Sequence, residues 1–174
     1  MQTRTGTAPL GDDLLERVER DVRRVPDPEI PVITIDDLGV IRGVERTVDG
    51  LRVTITPTYS GCPAMKAMED AVVAVGRRAG VPVEVVTRLA PAWTTDWMSE
   101  QGRQALRRFG IAPPTGEQAH ASGPVGLTLQ RRVVTCPHCG SQDTEEVARF
   151  GSTACKALRR CLSCREPFDE FKTI

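Results

Sequence analysis

Leu14, Leu15, Val18, Val22 and Val25 recur at three- and four-residue intervals with charges between them, which predicts an amphipathic helix from Asp12 onward. Asp12 or Asp13 is placed to cap its start, and Pro26 ends it. Asp27-Pro28-Glu29-Ile30-Pro31 follows, and its two prolines predict an extended, stiff loop. Alternation with period two then predicts strands over 40–47 and 51–57, joined by a turn at Asp49-Gly50. In the second, Leu51, Val53 and Ile55 share one face, and Arg52, Thr54 and Thr56 the other. A tight loop, Thr58-Tyr59-Ser60-Gly61-Cys62, leads into a helix expected over 63–78. Its buried stripe is Met65, Met68, Val72 and Val75, and Gly80 is placed as the C-terminal cap. A further strand is expected over 81–89. A last helix is expected over 95–109, capped by Thr94 or Thr95 and stopped by Gly110 and Pro113-Pro114.

These elements make an α+β sandwich of helix, hairpin, helix, strand and helix over residues 11–112. Residues 1–10 are small and polar and read as a disordered leader. Residues 113–130 are rich in Pro, Gly, Ser and Ala without period and read as a linker. Residues 131–174 form a second small module, and the linker predicts that the two parts fold separately.

Charge changes the picture by exclusion. The 174 residues carry 23 basic and 23 acidic side chains, a net charge of zero. A nucleic-acid binder draws its affinity from clustered cations that release phosphate counterions, so that class is set aside. No apolar run approaches the ~18–20 residues that cross a bilayer. The N-terminal stretch has no apolar segment of the secretory type either. The expectation is a cytoplasmic protein without membrane contact, in a compartment that keeps thiols reduced. Six cysteines there point to metal or thiol chemistry rather than disulfides.

Five of the six crowd the C-terminal module. Cys136-Pro-His-Cys139 and Cys161-Leu-Ser-Cys164 are two C-x-x-C elements with 21 residues between them. Each pair can wrap one side of a metal, and together they complete a tetrahedron of thiolates. A module of about 40 residues buries too little apolar surface to fold unaided, so a metal staple is expected. Structural zinc is favoured over a rubredoxin-like iron centre, which uses the same ligands. His138, inside the first knuckle, is expected to be exposed and not a ligand. Cys155 has no partner at knuckle spacing. It is either a spare buried thiol or an accessory thiol that meets a partner's metal cluster.

Cys62 precedes Pro63, a residue favoured at the first position of a helix. That places Cys62 at the N-cap, where free N–H groups and the helix dipole lower a thiol's pKa. A thiolate is then expected, able to bind a metal, while a small buried turn residue explains the same pattern. Asp27 and Glu29 are its acidic companions, or ordinary surface carboxylates. Asp36 and Asp37 cap the 35–39 turn. Trp93 and Trp97, with Asp96, form either a partner-facing patch or core.

A family resemblance rests on particular runs. They are Asp27-Pro28-Glu29-Ile30-Pro31, Asp37-Leu38-Gly39-Val40-Ile41, and Thr56-Pro57-Thr58-Tyr59-Ser60-Gly61-Cys62-Pro63. Ala154-Cys155-Lys156-Ala157-Leu158 and Pro167-Phe168 complete the set. Together they resemble the PaaD (PaaJ) family of the bacterial phenylacetyl-CoA epoxidase gene set. The first part resembles the small domain shared with SufT-type and cytosolic iron–sulfur targeting proteins. The resemblance implies an accessory role in aromatic degradation, the delivery of iron or an iron–sulfur cluster, and no catalysis by this chain. It implies that Cys62 is the functional thiol, with Asp27 and Glu29 near it, and a transient iron or cluster as cargo. Implied partners are the epoxidase's reductase or di-iron oxygenase subunit and iron–sulfur assembly proteins, with a homodimer left open. The competing reading is a non-catalytic structural or regulatory subunit of the same complex. A nucleophilic enzyme fits poorly, because His120 and His138 are the only histidine bases. The chain also lacks a pair of Glu-x-x-His motifs for a di-iron site and a G-x-G-x-x-G loop.

Overall fold

The computed structural model describes residues 11–115 and 132–173. The expected leader and most of the expected linker lie outside them. Helix α1 (Asp12–Arg23) buries Leu15, Val18 and Val22, with Gly11 at its N-cap. Asp12 and Asp13 sit instead in the first turn, where the helix dipole favours negative charge. Strands β1 (Ile41–Arg46) and β2 (Leu51–Ile55) form the expected antiparallel hairpin. Helix α2 (Met65–Ala79) crosses over and returns the chain to β3 (Val83–Thr87), parallel to β2, so the sheet order is β1-β2-β3. Gly76 permits that close return: a Cβ there would meet Val83 Cγ2 at 2.3 Å.

The last helix differs from the single element expected. A 3-10 turn (Thr95–Trp97), capped by the Thr94 hydroxyl, is separated from α3 (Glu100–Phe109) by extended backbone at Met98 and Ser99. Ser99 starts the second helix by accepting the Gly102 N–H at 2.9 Å, and its own hydroxyl donates to Asp37 Oδ1 at 2.5 Å. Two good caps five residues apart favour two short helices over one long one. Asp37 thus ties the 34–39 turn to α3, while Asp36 pairs with Arg23 at 2.9 Å.

Beyond α3, β4 (Ile111–Ala112) pairs in parallel with β7 (Pro167–Phe171). With β5 (Thr144–Ala148) and β6 (Lys156–Cys161) they form a second sheet, in the order β4-β7-β6-β5. A strand from the end of the first part therefore edges the sheet of the second. The core is shared as well. Cys155 and Phe171, which is fully buried, belong to the same apolar cluster as Val22, Leu38 and Met68. Phe171 packs on Trp93 with ring centroids 6.0 Å apart, and Trp93 Nε1 donates to the Leu38 carbonyl at 3.0 Å.

A shared core is not part of the expectation of two parts joined by a linker alone. Buried apolar surface joins them, and no short-range pattern marks Phe171 as a residue of the first core. Phe171→Ala is expected to cost about 3–5 kcal/mol, the usual range for a buried aromatic. Urea unfolding should remain one transition with a lower midpoint; an unchanged midpoint would contradict the shared core. Among the described residues, no helix is long and apolar enough to cross a membrane.

A four-thiol centre and a two-part cleft

The two C-x-x-C knuckles fold alike. Gly140 N–H donates to the Cys136 carbonyl at 3.0 Å, and Arg165 N–H donates to the Cys161 carbonyl at 3.1 Å. The fourth residue after each leading cysteine has a positive φ, +77° at Gly140 and +69° at Arg165. These tight turns aim the sulfurs inward. Cys136 and Cys164 Sγ are 3.8 Å apart, Cys139 and Cys161 Sγ 3.6 Å, and all four lie within 4.8 Å of one another. Zinc–sulfur bonds of ~2.3 Å in a tetrahedron require sulfurs ~3.8 Å apart, so the four thiols fit a closed zinc centre. Backbone N–H groups of Cys164 and Ser163 hold the Cys161 thiol down to about 6, while burial and the neighbouring sulfurs push Cys164 up to about 12, as thiols sharing protons at close range do. His138 stays outside this group, exposed, with its ring edge-on to Phe168.

A second constellation forms where the two parts meet. A narrow cleft is lined by Asp27, Glu29, Thr58, Cys62, Cys155 and Phe171, among others. The residues singled out in the first domain are thereby brought together. Cys155, from a segment 93 residues away in the chain, joins them.

The acidic loop is not extended. Asp27 is buried, and its Oδ1 accepts the N–H groups of Glu29 at 2.8 Å and Ile30 at 2.7 Å. The Ile33 N–H closes a further turn on the Ile30 carbonyl at 3.1 Å. An aspartate followed by proline offers its own carboxylate to the backbone, and that local bond wins over an extended run. Burial pushes the Asp27 carboxyl up, and the two N–H groups pull against it. Asp27 shapes the loop, whereas Glu29 stands exposed at the rim.

Cys62 also differs from expectation. Helix α2 begins at Met65 behind Ala64, whose αR backbone makes no side-chain cap, so Cys62 lies in the preceding turn. Its N–H donates to the Tyr59 carbonyl at 3.1 Å. Burial pushes its thiol above the ordinary 9.0. The Ala64 N–H lowers it, the Glu29 charge raises it, Thr58 lowers it, and Asp27 raises it. The outcome reverses the expected thiolate, because burial and two carboxylates outweigh two hydrogen bonds. Alkylation rate against pH is expected to show a Cys62 midpoint above 9.0. A midpoint below ~8, under the free-cysteine value, would restore the N-cap reading.

Cys155 is buried with its Sγ 3.1 Å from Thr153 Oγ1, and burial raises its thiol too. The next residue, Lys156, is buried and pairs with Asp169 at 3.3 Å. The two tryptophans do not form one patch: Trp93 is core, and Trp97 carries the Arg42 guanidinium 3.4 Å from its ring centroid. Sequence reasoning flagged Cys155 but had no signal for its place in the cleft that Cys62 lines. Only the pairing of β6 with β7 and the burial of Phe171 put it there.

Residues 15–86 match the family model for iron–sulfur cluster assembly proteins, and residues 120–172 match the model for the PaaD zinc β-ribbon domain. The chain is thus an iron–sulfur-assembly-type α+β domain joined to a four-cysteine zinc ribbon. Over 152 residues it is 51% identical to an Escherichia coli (strain K12) protein named as a subunit of a "Putative 1,2-phenylacetyl-CoA epoxidase", covering 87% of this chain and 88% of that one. The chain belongs to the PaaD family. It is also 40% identical over 94 residues to a Porphyromonas gingivalis (strain ATCC BAA-308 / W83) protein named "Fe-S protein maturation auxiliary factor", covering 52% of this chain and 89% of that one. A crystal structure of a domain of unknown function, DUF59, from Bacillus anthracis matches with a TM-score of 0.49 and 24% identity, covering 55% of this chain and 92% of that one.

Proposed function

We propose that this chain is a non-catalytic accessory factor that delivers iron or an iron–sulfur cluster to the phenylacetyl-CoA epoxidase system. The carrying observation is the contrast between its two thiol sites. The ribbon's sulfurs are mutually packed and suit a resident zinc held by Cys136, Cys139, Cys161 and Cys164. Cys62 is half-buried at a cleft rimmed by the Glu29 carboxylate and is not among such a closed group. A lone thiol with a carboxylate nearby offers fewer ligands than the ribbon's four packed sulfurs, and so holds a metal less tightly. Weak, reversible ligation suits an intermediary better than a resting site. Cys62 takes the cargo, Glu29 supplies an oxygen ligand or orients the partner, and Asp27 holds the loop that presents Glu29. The two family matches support the direction of this reading, with the reductase or di-iron oxygenase as recipient and iron–sulfur assembly proteins as donors.

Purification of the epoxidase from cells with and without this chain tests it. Transient association, and an epoxidase short of iron when the chain is missing, are the expected results. Co-purification at fixed stoichiometry with full metal content in its absence would establish a structural subunit instead.

A further inference from the structure

We infer that the cargo site is composite: Cys62 from the first domain and Cys155 from the ribbon act together as a two-thiol chelate for a single thiophilic divalent cation. The inference rests on the delivery reading and adds that the ribbon contributes a ligand. Both cysteines line one cleft, with Glu29 at its rim. The room inside is about 10 Å³, on the order of one water molecule. A space of that size takes a single ion once the cleft opens slightly. Two sulfurs suit a thiophilic first-row ion such as iron(II), with solvent completing its coordination. Binding is a proton exchange without redox change: two metal–sulfur bonds form and two thiol protons leave to solvent.

The fold also determines what holds the second thiol in place. Cys155 immediately precedes β6, and the last residue of β6 is Cys161, one of the four ribbon sulfurs. The Cys155 carbonyl accepts the Lys172 N–H at 2.9 Å, which ties it to the end of β7. One strand thus runs from the cleft at Cys155 to the four-sulfur centre at Cys161. Among the described residues, only the ribbon's sulfurs bring three or more ligand atoms within 4.8 Å.

Cobalt(II) is the probe, added anaerobically to the full-length, zinc-loaded chain while thiolate charge-transfer absorption and alkylation of each cysteine are followed. In the wild-type protein, one added equivalent is expected to slow alkylation of Cys62 and Cys155 together, at least tenfold, with zinc content unchanged. Cys155→Ser and Cys155→Ala should each weaken cobalt binding at least tenfold and halve the absorption, with zinc still bound. Protection of Cys62 alone, or a wild-type spectrum from either Cys155 variant, would overturn the composite site and leave single-thiol delivery by Cys62 standing. The protection measurement needs no variant, so a Cys155 substitution that fails to fold does not blunt the test.

Discussion

Serine in place of Cys136, Cys139, Cys161 or Cys164 is expected to abolish zinc binding and to unfold most of the ribbon. Among the described residues, the ribbon's own buried cluster holds only Ala112, Val134, Cys136, Cys161 and Phe168, with Cys164 against it. Half of that cluster is the ligand set itself. Structural zinc contributes on the order of 10–16 kcal/mol in comparable small modules, far more than this apolar area supplies. The consequence spreads into the first domain, because unfolding of β7 withdraws Phe171 from Trp93 and Leu38. Full burial of such a side chain is worth about 1.5–3 kcal/mol. The first domain should therefore survive, with its sheet and helices formed but its stability lowered by that order. Elemental analysis reads the zinc, and the emission of Trp93 reads the exposed interface. A zinc-free variant with unshifted tryptophan emission and an unchanged urea midpoint would show that the ribbon neither needs the metal nor buttresses the first core.

Local periodicity made much of this architecture legible. The α1 stripe, the β1–β2 hairpin and the return through α2 to β3 each follow from spacing that a single segment carries. The C-x-x-C pairs likewise announced a tetrahedral centre, since their chemistry is encoded within four residues. Errors arose where a short-range signal had a local competitor. Ser99 divides the expected last helix, because its hydroxyl caps a new one. Asp27 coils a loop that its prolines argued should be straight. At Cys62 a proline-based rule suggested a capped thiolate, whereas burial beside Glu29 and Asp27 decides the proton's hold. What spacing could not carry is long-range: the pairing of β4 with β7, the entry of Phe171 into the first core, and the entry of Cys155 into the cleft that Cys62 lines. The family resemblance supplied Cys62 as the functional thiol. It did not supply the partner thiol or the strand that links it to the ribbon.

Cys62→Ser is expected to leave a folded protein with its zinc intact and its partners still recognised, while removing delivery. Serine is close to isosteric in this turn, where the backbone bonds from Cys62 to Tyr59 and from Met65 to Cys62 are independent of the sulfur. A hydroxyl, however, keeps its proton against iron(II) at neutral pH, so the cargo loses its principal soft ligand. Delivery should fall by at least tenfold, and epoxidation of phenylacetyl-CoA with it. The direct test is the iron content of the epoxidase complex, isolated from cells in which the Cys62→Ser form is the sole copy of this chain. Measured beside wild-type cells, that iron content is predicted to be severely reduced, with one zinc per accessory chain in both. An epoxidase carrying its full iron complement from the Cys62→Ser cells would contradict delivery through this thiol.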